Sequence, residues 1–110
     1  MELRNRLVMA PLGTNLADVN GAVSERLLEW HAERARGGVG LIIVGNAAAD
    51  TRFGRGLACQ LRVEDPAFTP RLHELVETVQ AHAVKIALQI NIQGGGVDLD
   101  LQPGVQPVGP

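Results

Sequence analysis

With 110 residues, 45% hydrophobic and 20% charged, the chain has the composition of one small folded domain and not of a disordered segment. A formal charge of −2 spread over interleaved acids and bases, with only 3% aromatics and no tyrosine, offers neither the basic footprint nor the stacking surface for nucleic acid or an anionic membrane. No apolar run approaches the roughly 20 residues of a membrane span.

The chain opens on Glu2, Arg4, Asn5 and Arg6 before only a few apolar residues, too few for a signal-peptide core, so a cytoplasmic protein is expected. Leu7, Val8, Met9 and Ala10 form a short apolar strand that Pro11 ends, and Gly13, Asn15, Asn20 and Gly21 mark a loop. Ser24 is placed to cap a helix over Glu25 to Arg36, with Glu25 at the positive end of its dipole and Arg34 and Arg36 at the negative end. Leu27, Leu28, His31, Ala32 and Ala35 make its apolar stripe, and Gly37 and Gly38 close it. Val39 to Val44 is continuously apolar, as in a parallel strand covered on both faces. A long irregular stretch from Gly45 to Phe68 follows. Cys59, within it, is the only cysteine, which excludes an internal disulfide or a multi-cysteine metal or iron–sulfur site in these residues and reads as an ordinary reduced thiol. Thr69 as N-cap and Pro70 at the first helical position start a second helix whose Leu72, Leu75, Val76 and Val79 face a core. Val84 to Asn91 alternates: Val84, Ile86, Leu88 and Ile90 point one way, Lys85, Ala87, Gln89 and Asn91 the other. Beyond it, Gly94 to Gly96, Pro103, Pro107 and Pro110 read as an extended loop.

Three strands separated by two helices give an α/β class with a parallel sheet. A doubly wound sheet carries a glycine-rich turn between its first strand and a helix, whereas this first strand runs into Ala-Pro-Leu-Gly-Thr and a long loop. The glycines at 54, 56 and 94 to 96 do not join a strand to a helix either. A partial TIM (β/α)8 barrel is favoured, since its inner face would carry Ala87, then Gln89 and Asn91 near the C-terminal mouth where barrel active sites lie. A whole barrel needs about 250 residues, so about the first three βα units are present. Alone, such a piece would leave parallel edges and an apolar inner face exposed. The expectation is therefore the N-terminal part of an incomplete domain.

The residues themselves support this reading. Leu3-Arg-Asn-Arg-Leu-Val-Met-Ala-Pro-Leu-Gly-Thr-Asn15 resembles the first barrel strand of the old yellow enzyme family, the NADH:flavin oxidoreductases, and is closest to its 2,4-dienoyl-CoA reductase-like branch. Glu25 to Arg36 with Gly37-Gly-Val-Gly-Leu-Ile-Ile-Val44 resembles the second unit, and Ala81-His-Ala-Val-Lys-Ile-Ala-Leu-Gln89 the third strand. The resemblance implies an FMN cofactor at the barrel mouth, NADH or NADPH as reductant, and a small-molecule substrate with an activated C=C bond. It implies that Pro11, Leu12 and Gly13 flank the flavin ring, that Asn46 approaches it, and that Gln89 hydrogen-bonds its pyrimidine edge, where a carboxamide offers both a donor and an acceptor. It assigns no catalytic residue and no metal ligand to this chain, because the family's proton donor, substrate-anion ligands and phosphate loops belong to later units. Self-association stays open.

Simpler readings stand beside these. Pro11 ends a strand, Asn46 caps a loop, and Gln89 is a polar residue at a strand end. His31, His73 and His82 are structural, and Trp30 packs in the core or between helices. The chain also departs from the family pattern. Ile92, Gln93, Gly94 and Gly95 stand where the family has a His-x-Gly-Arg segment, Gly13 lacks the usual side chain, and Asn46 is bulkier than the usual small residue. Ala83 replaces an expected glycine after the second helix. Competing functions are a non-catalytic remnant, an oligomerising half-barrel without flavin, and another barrel enzyme with a phosphate-bearing substrate.

Overall fold

The computed structural model describes residues 1–52, 55–92, 100, 103, 104 and 106. The expected features at Gly54, at Gln93 to Gly96, and at Pro107 and Pro110 lie outside them.

Strand β1 is only Val8–Met9, since Pro11 has no amide to continue a ladder. Helix α1, Glu25–Arg36, begins where expected: Ser24 Oγ accepts from Leu27 N at 3.1 Å and itself donates to Leu16 O. Its buried residues, Leu27, Leu28, His31, Ala32 and Ala35, are the stripe read from the sequence. Strand β2 runs Leu41–Ala48. It starts later than expected because the Val39 carbonyl is held by Arg4 Nε at 3.2 Å, and it continues past Val44 because strand β4, Lys85–Asn91, pairs with it as far as Ala48↔Asn91. A two-residue strand, β3 (Leu61–Arg62), lies inside the stretch expected to be irregular and pairs with Ala47 and Ala48. Helix α2, Thr69–Gln80, is not capped by Thr69. Phe68 occupies the cap position without a side-chain bond, and the capping is done one turn earlier, where Asp65 Oδ1 accepts from Ala67 N at 2.8 Å ahead of a 3-10 turn, Pro66–Phe68.

All strand pairs are parallel, and β2 lies between β4 on one edge and β1, extended by β3, on the other. The three main strands therefore neighbour each other in chain order, as in a barrel, without the reversal of order that a doubly wound sheet shows. Leu27, Leu28 and Ala35 of α1 join Leu75 and Val79 of α2 and Ile42 and Val44 of β2 in one buried cluster, so both helices cover the same sheet face. Fully burying one such aliphatic side chain contributes about 1.5–3 kcal/mol. The other face carries the exposed Lys85, Ala87 and Gln89 of β4 and is the barrel's inner side. The expected alternation holds through Leu88 and then fails. Ile90 is 59% exposed, and the Asn91 carboxamide oxygen is bonded by Gln60 Nε2 at 3.3 Å instead of standing free beside Gln89.

His31 is buried, with Nδ1 hydrogen-bonded to Leu27 O at 2.8 Å. Trp30 is not a core residue: it is half-buried, edge-on to His31, with the Arg34 guanidinium 3.8 Å from its ring centre. His73 is exposed beside Glu77, and His82 lies after the helix end, where its carbonyl accepts from Arg4 Nη1 at 3.0 Å.

Candidate cofactor-binding site

Parallel strands bring their C-terminal ends to one edge of the sheet, and the five residues that the resemblance assigns to the flavin lie there. Pro11, Leu12 and Gly13 follow β1 after Ala10, and Gly13 forms an isolated parallel bridge with Gly45 of β2. Asn46 is the next residue of β2. Across the other edge, the register passes from Val44↔Leu88 to Ala47↔Ile90, so Gly45 and Asn46 together stand opposite Gln89. This is a β-bulge, which re-aims side chains at the end of a ladder. The structure thus places the post-β1 backbone, Asn46 and Gln89 side by side across three strand ends.

Two glycines make this close approach possible. A Cβ on Gly45 would lie 2.5 Å from Pro11 Cβ and 2.7 Å from Leu12 N, inside hard-sphere contact. On Gly13 it would lie 2.9 Å from Leu57 Cδ1 and 3.1 Å from Asn46 Oδ1. The chain after β1 therefore lies flat against β2. Leu12 is 59% exposed, and Gln89 is exposed with its carboxamide unbonded to any other described residue. Beneath the shelf, a cavity of about 10 Å3 lined by Gly13, Asn46, Leu57, Cys59 and Gln60 has room for no more than about one water. A ligand must accordingly lie on the open face.

The rim carries polar residues from either end of the segment between β2 and β3. Asp50 and Arg52 pair at 2.5 Å, and the Arg52 hydrogen bond holds the Asp50 carboxyl below its ordinary range. Glu64 Oε1 accepts from Arg62 Nε at 2.7 Å and from Thr51 Oγ1 at 3.0 Å. Burial alone would push the Glu64 carboxyl up, but the Arg62 and Thr51 bonds outweigh it and the net displacement is downward. Asn15, at φ +55, pins the other side, its Oδ1 accepting from Cys59 N at 2.7 Å. The sequence reading missed Gly45, Leu57 and Gln60. Gln60 is buried and ties the shelf together from below, yet it sits in a stretch with no hydrophobic period, and the strand residues it bonds are 14 and 31 residues away in the chain.

Comparison with known proteins agrees with this architecture. The chain is 44% identical over 108 residues to an NADH oxidase of Thermoanaerobacter brockii, covering 98% of this chain and 17% of that protein. It is 30% identical to a cinnamate reductase of Clostridium sporogenes, covering 100% of this chain and 17% of that one. Among solved structures, the old yellow enzyme homologue of Zymomonas mobilis superposes with a TM-score of 0.85 at 26% identity, over 98% of this chain and 29% of that one. The chain thus spans under a third of each of these relatives, and the fold is the corresponding part of their TIM barrel. The family model described as NADH:flavin oxidoreductase / NADH oxidase matches residues 1–110 without remainder, and the chain belongs to that family.

Proposed function

We propose that residues 1–110 are the N-terminal part of an FMN-binding TIM-barrel oxidoreductase domain, with Pro11, Leu12, Gly13, Asn46 and Gln89 facing the flavin. The observation that carries this is the juxtaposition of the flat post-β1 backbone, Asn46 and Gln89 across one sheet edge. These residues fit a planar heterocycle. Gly13 and Gly45 leave no side chain to lift the backbone off β2, and the exposed Gln89 carboxamide, unbonded among the described residues, offers a donor and an acceptor. Bound FMN supplies hydride transfer from NADH or NADPH to an activated C=C bond. The chain's own part is to bind and orient: the Gln89 carboxamide satisfies a ring edge that needs both a donor and an acceptor, and the Pro11–Gly13 backbone shields one side from water. No residue here carries a catalytic or metal-binding role in this reading.

Completion of the domain is supported by what β4 leaves open. An apolar groove of about 160 Å3 lined by Val44, Leu72, Leu75, Val76, Ile86 and Leu88 runs beside β4, and Ile90 and Ile92 are exposed at its end. The next βα unit of a barrel would cover this surface. Relatives named for cinnamate and acrylate support a small substrate whose C=C bond is activated by a neighbouring carbonyl. The test is anaerobic: NADH or NADPH should bleach the flavin of the natural protein, and a cinnamate- or acrylate-type acceptor should restore its colour. A flavin bleached by neither nicotinamide, or left reduced by every such acceptor, would refute the proposal.

A further inference from the structure

We infer that Gln60 is a positioning residue for the flavin shelf, an inference that rests on the flavin reading above. Gln60 is 2% exposed, and a carboxamide taken out of water is tolerated only where hydrogen bonds replace those it lost. Its Oε1 accepts from Gly56 N at 2.9 Å. Its Nε2 donates to Asn46 O at 3.5 Å and to Asn91 Oδ1 at 3.3 Å. The two N–H bonds of one carboxamide can serve both acceptors at once.

These partners belong to three separate segments: the bulge of β2, the end of β4, and the loop that leads to β3. The bulge interrupts the β2–β4 ladder between Val44↔Leu88 and Ala47↔Ile90 before pairing resumes as far as Ala48↔Asn91, so the ladder does not hold Gly45 and Asn46 against Gln89. Gln60 bridges that gap. It holds the carbonyl of Asn46 and the side chain two residues beyond Gln89, and Asn46 and Gln89 are two of the five residues assigned to the flavin. Packing does not call for an amide here, since a methionine would fill much the same volume beside Val44 and Leu61. Buried as it is, Gln60 touches no ligand and acts only through the strand ends it ties.

The experiment uses the natural flavoprotein and three variants: Gln60→Met, which keeps length and loses the hydrogen bonds; Asn91→Ala, which removes one partner; and Gln89→Ala as the reference for direct contact. Each apoprotein is titrated with FMN by fluorescence quenching, the visible spectrum of the bound flavin is recorded, and the unfolding midpoint of the apoprotein is measured. Gln60→Met is expected to weaken FMN binding about tenfold and to shift the flavin bands, and Asn91→Ala to do the same at about threefold. If Gln60→Met lowers the apoprotein midpoint while binding FMN with the wild-type constant and spectrum, the positioning role is overturned and the flavin reading stands. If Gln60→Met fails to fold, an unchanged constant and spectrum in Asn91→Ala overturns it instead. If the wild-type protein takes up no FMN, the flavin reading itself has failed, and that is seen before any variant is made.

Discussion

Replacing Ala83 by glycine is expected to stabilise the fold. Ala83 stands in the turn after α2 at φ +57, where the Cβ of an L-residue crowds the following carbonyl oxygen at a cost of about 1–2 kcal/mol. Its side chain is exposed, so deleting the methyl forfeits no core contact. The turn is held by backbone bonds that glycine keeps: Ala81 N to Glu77 O at 2.9 Å, His82 N to Val79 O at 3.2 Å and Ala83 N to Gln80 O at 2.9 Å. Glycine returns about 0.4–1 kcal/mol through the greater freedom of the unfolded chain. The net gain is about 0.5–1 kcal/mol. Urea unfolding of the natural protein would read it as a higher midpoint at unchanged slope. Ala81→Gly is the control: Ala81 is at φ −56, so glycine there relieves nothing and costs about 0.5–1 kcal/mol. An Ala83→Gly variant as stable as the parent, or less so, would refute the account of the turn.

Gly45→Ala is expected to lose about 1–3 kcal/mol of stability, because its methyl meets the backbone at Leu12 and not a side chain that can swing away; denaturant midpoints would show it, and a neutral substitution would deny the tight shelf. Burial, partly offset by the Leu27 carbonyl, lowers the pKa of His31, with Arg34 adding to the depression. The unfolded chain therefore takes up this proton first, and the stability tied to neutral His31 is complete above about pH 6.5 and falls as the pH drops below it. His31→Gln should abolish that portion, seen as a smaller difference between midpoints at about pH 7.5 and about pH 5. Arg71 joins the helices through Glu25 at 2.8 Å and the Val23 carbonyl at 2.9 Å. It is partly exposed, so Arg71→Ala should cost only about 1 kcal/mol, less at high salt, and a loss untouched by salt would assign the effect to packing.

Both helices were legible from their periodicity, and all the residues of the α1 stripe are buried, because a helix forms its pattern from neighbours three and four apart. Ser24 was legible for the same reason, as a local cap. The left-handed turn at Ala83 could be anticipated only from the family pattern, since alanine itself gives no signal of positive φ. Strand β3 and the bulge were not visible. Leu61–Arg62 is two residues long, and its pairing depends on Ala47 and Ala48 far earlier in the chain. The run from Gly45 to Ala48 looked like loop because small and polar residues carry no strand signal; they are strand because β4 pairs with them. Capping misled at Thr69 because Asp65 had already started the chain turning. At the site, Pro11, Leu12, Gly13, Asn46 and Gln89 were named from the family resemblance and parallel strand order brings them to one edge, whereas Gln60 entered only through contacts that close in three dimensions.

The most direct test of the central claim is the FMN content of the protein purified from its natural source. One FMN per polypeptide, in a product well above the 11.7 kDa of these residues, is the predicted result. A product of 11.7 kDa that carries no flavin and takes up none when FMN is added would contradict it.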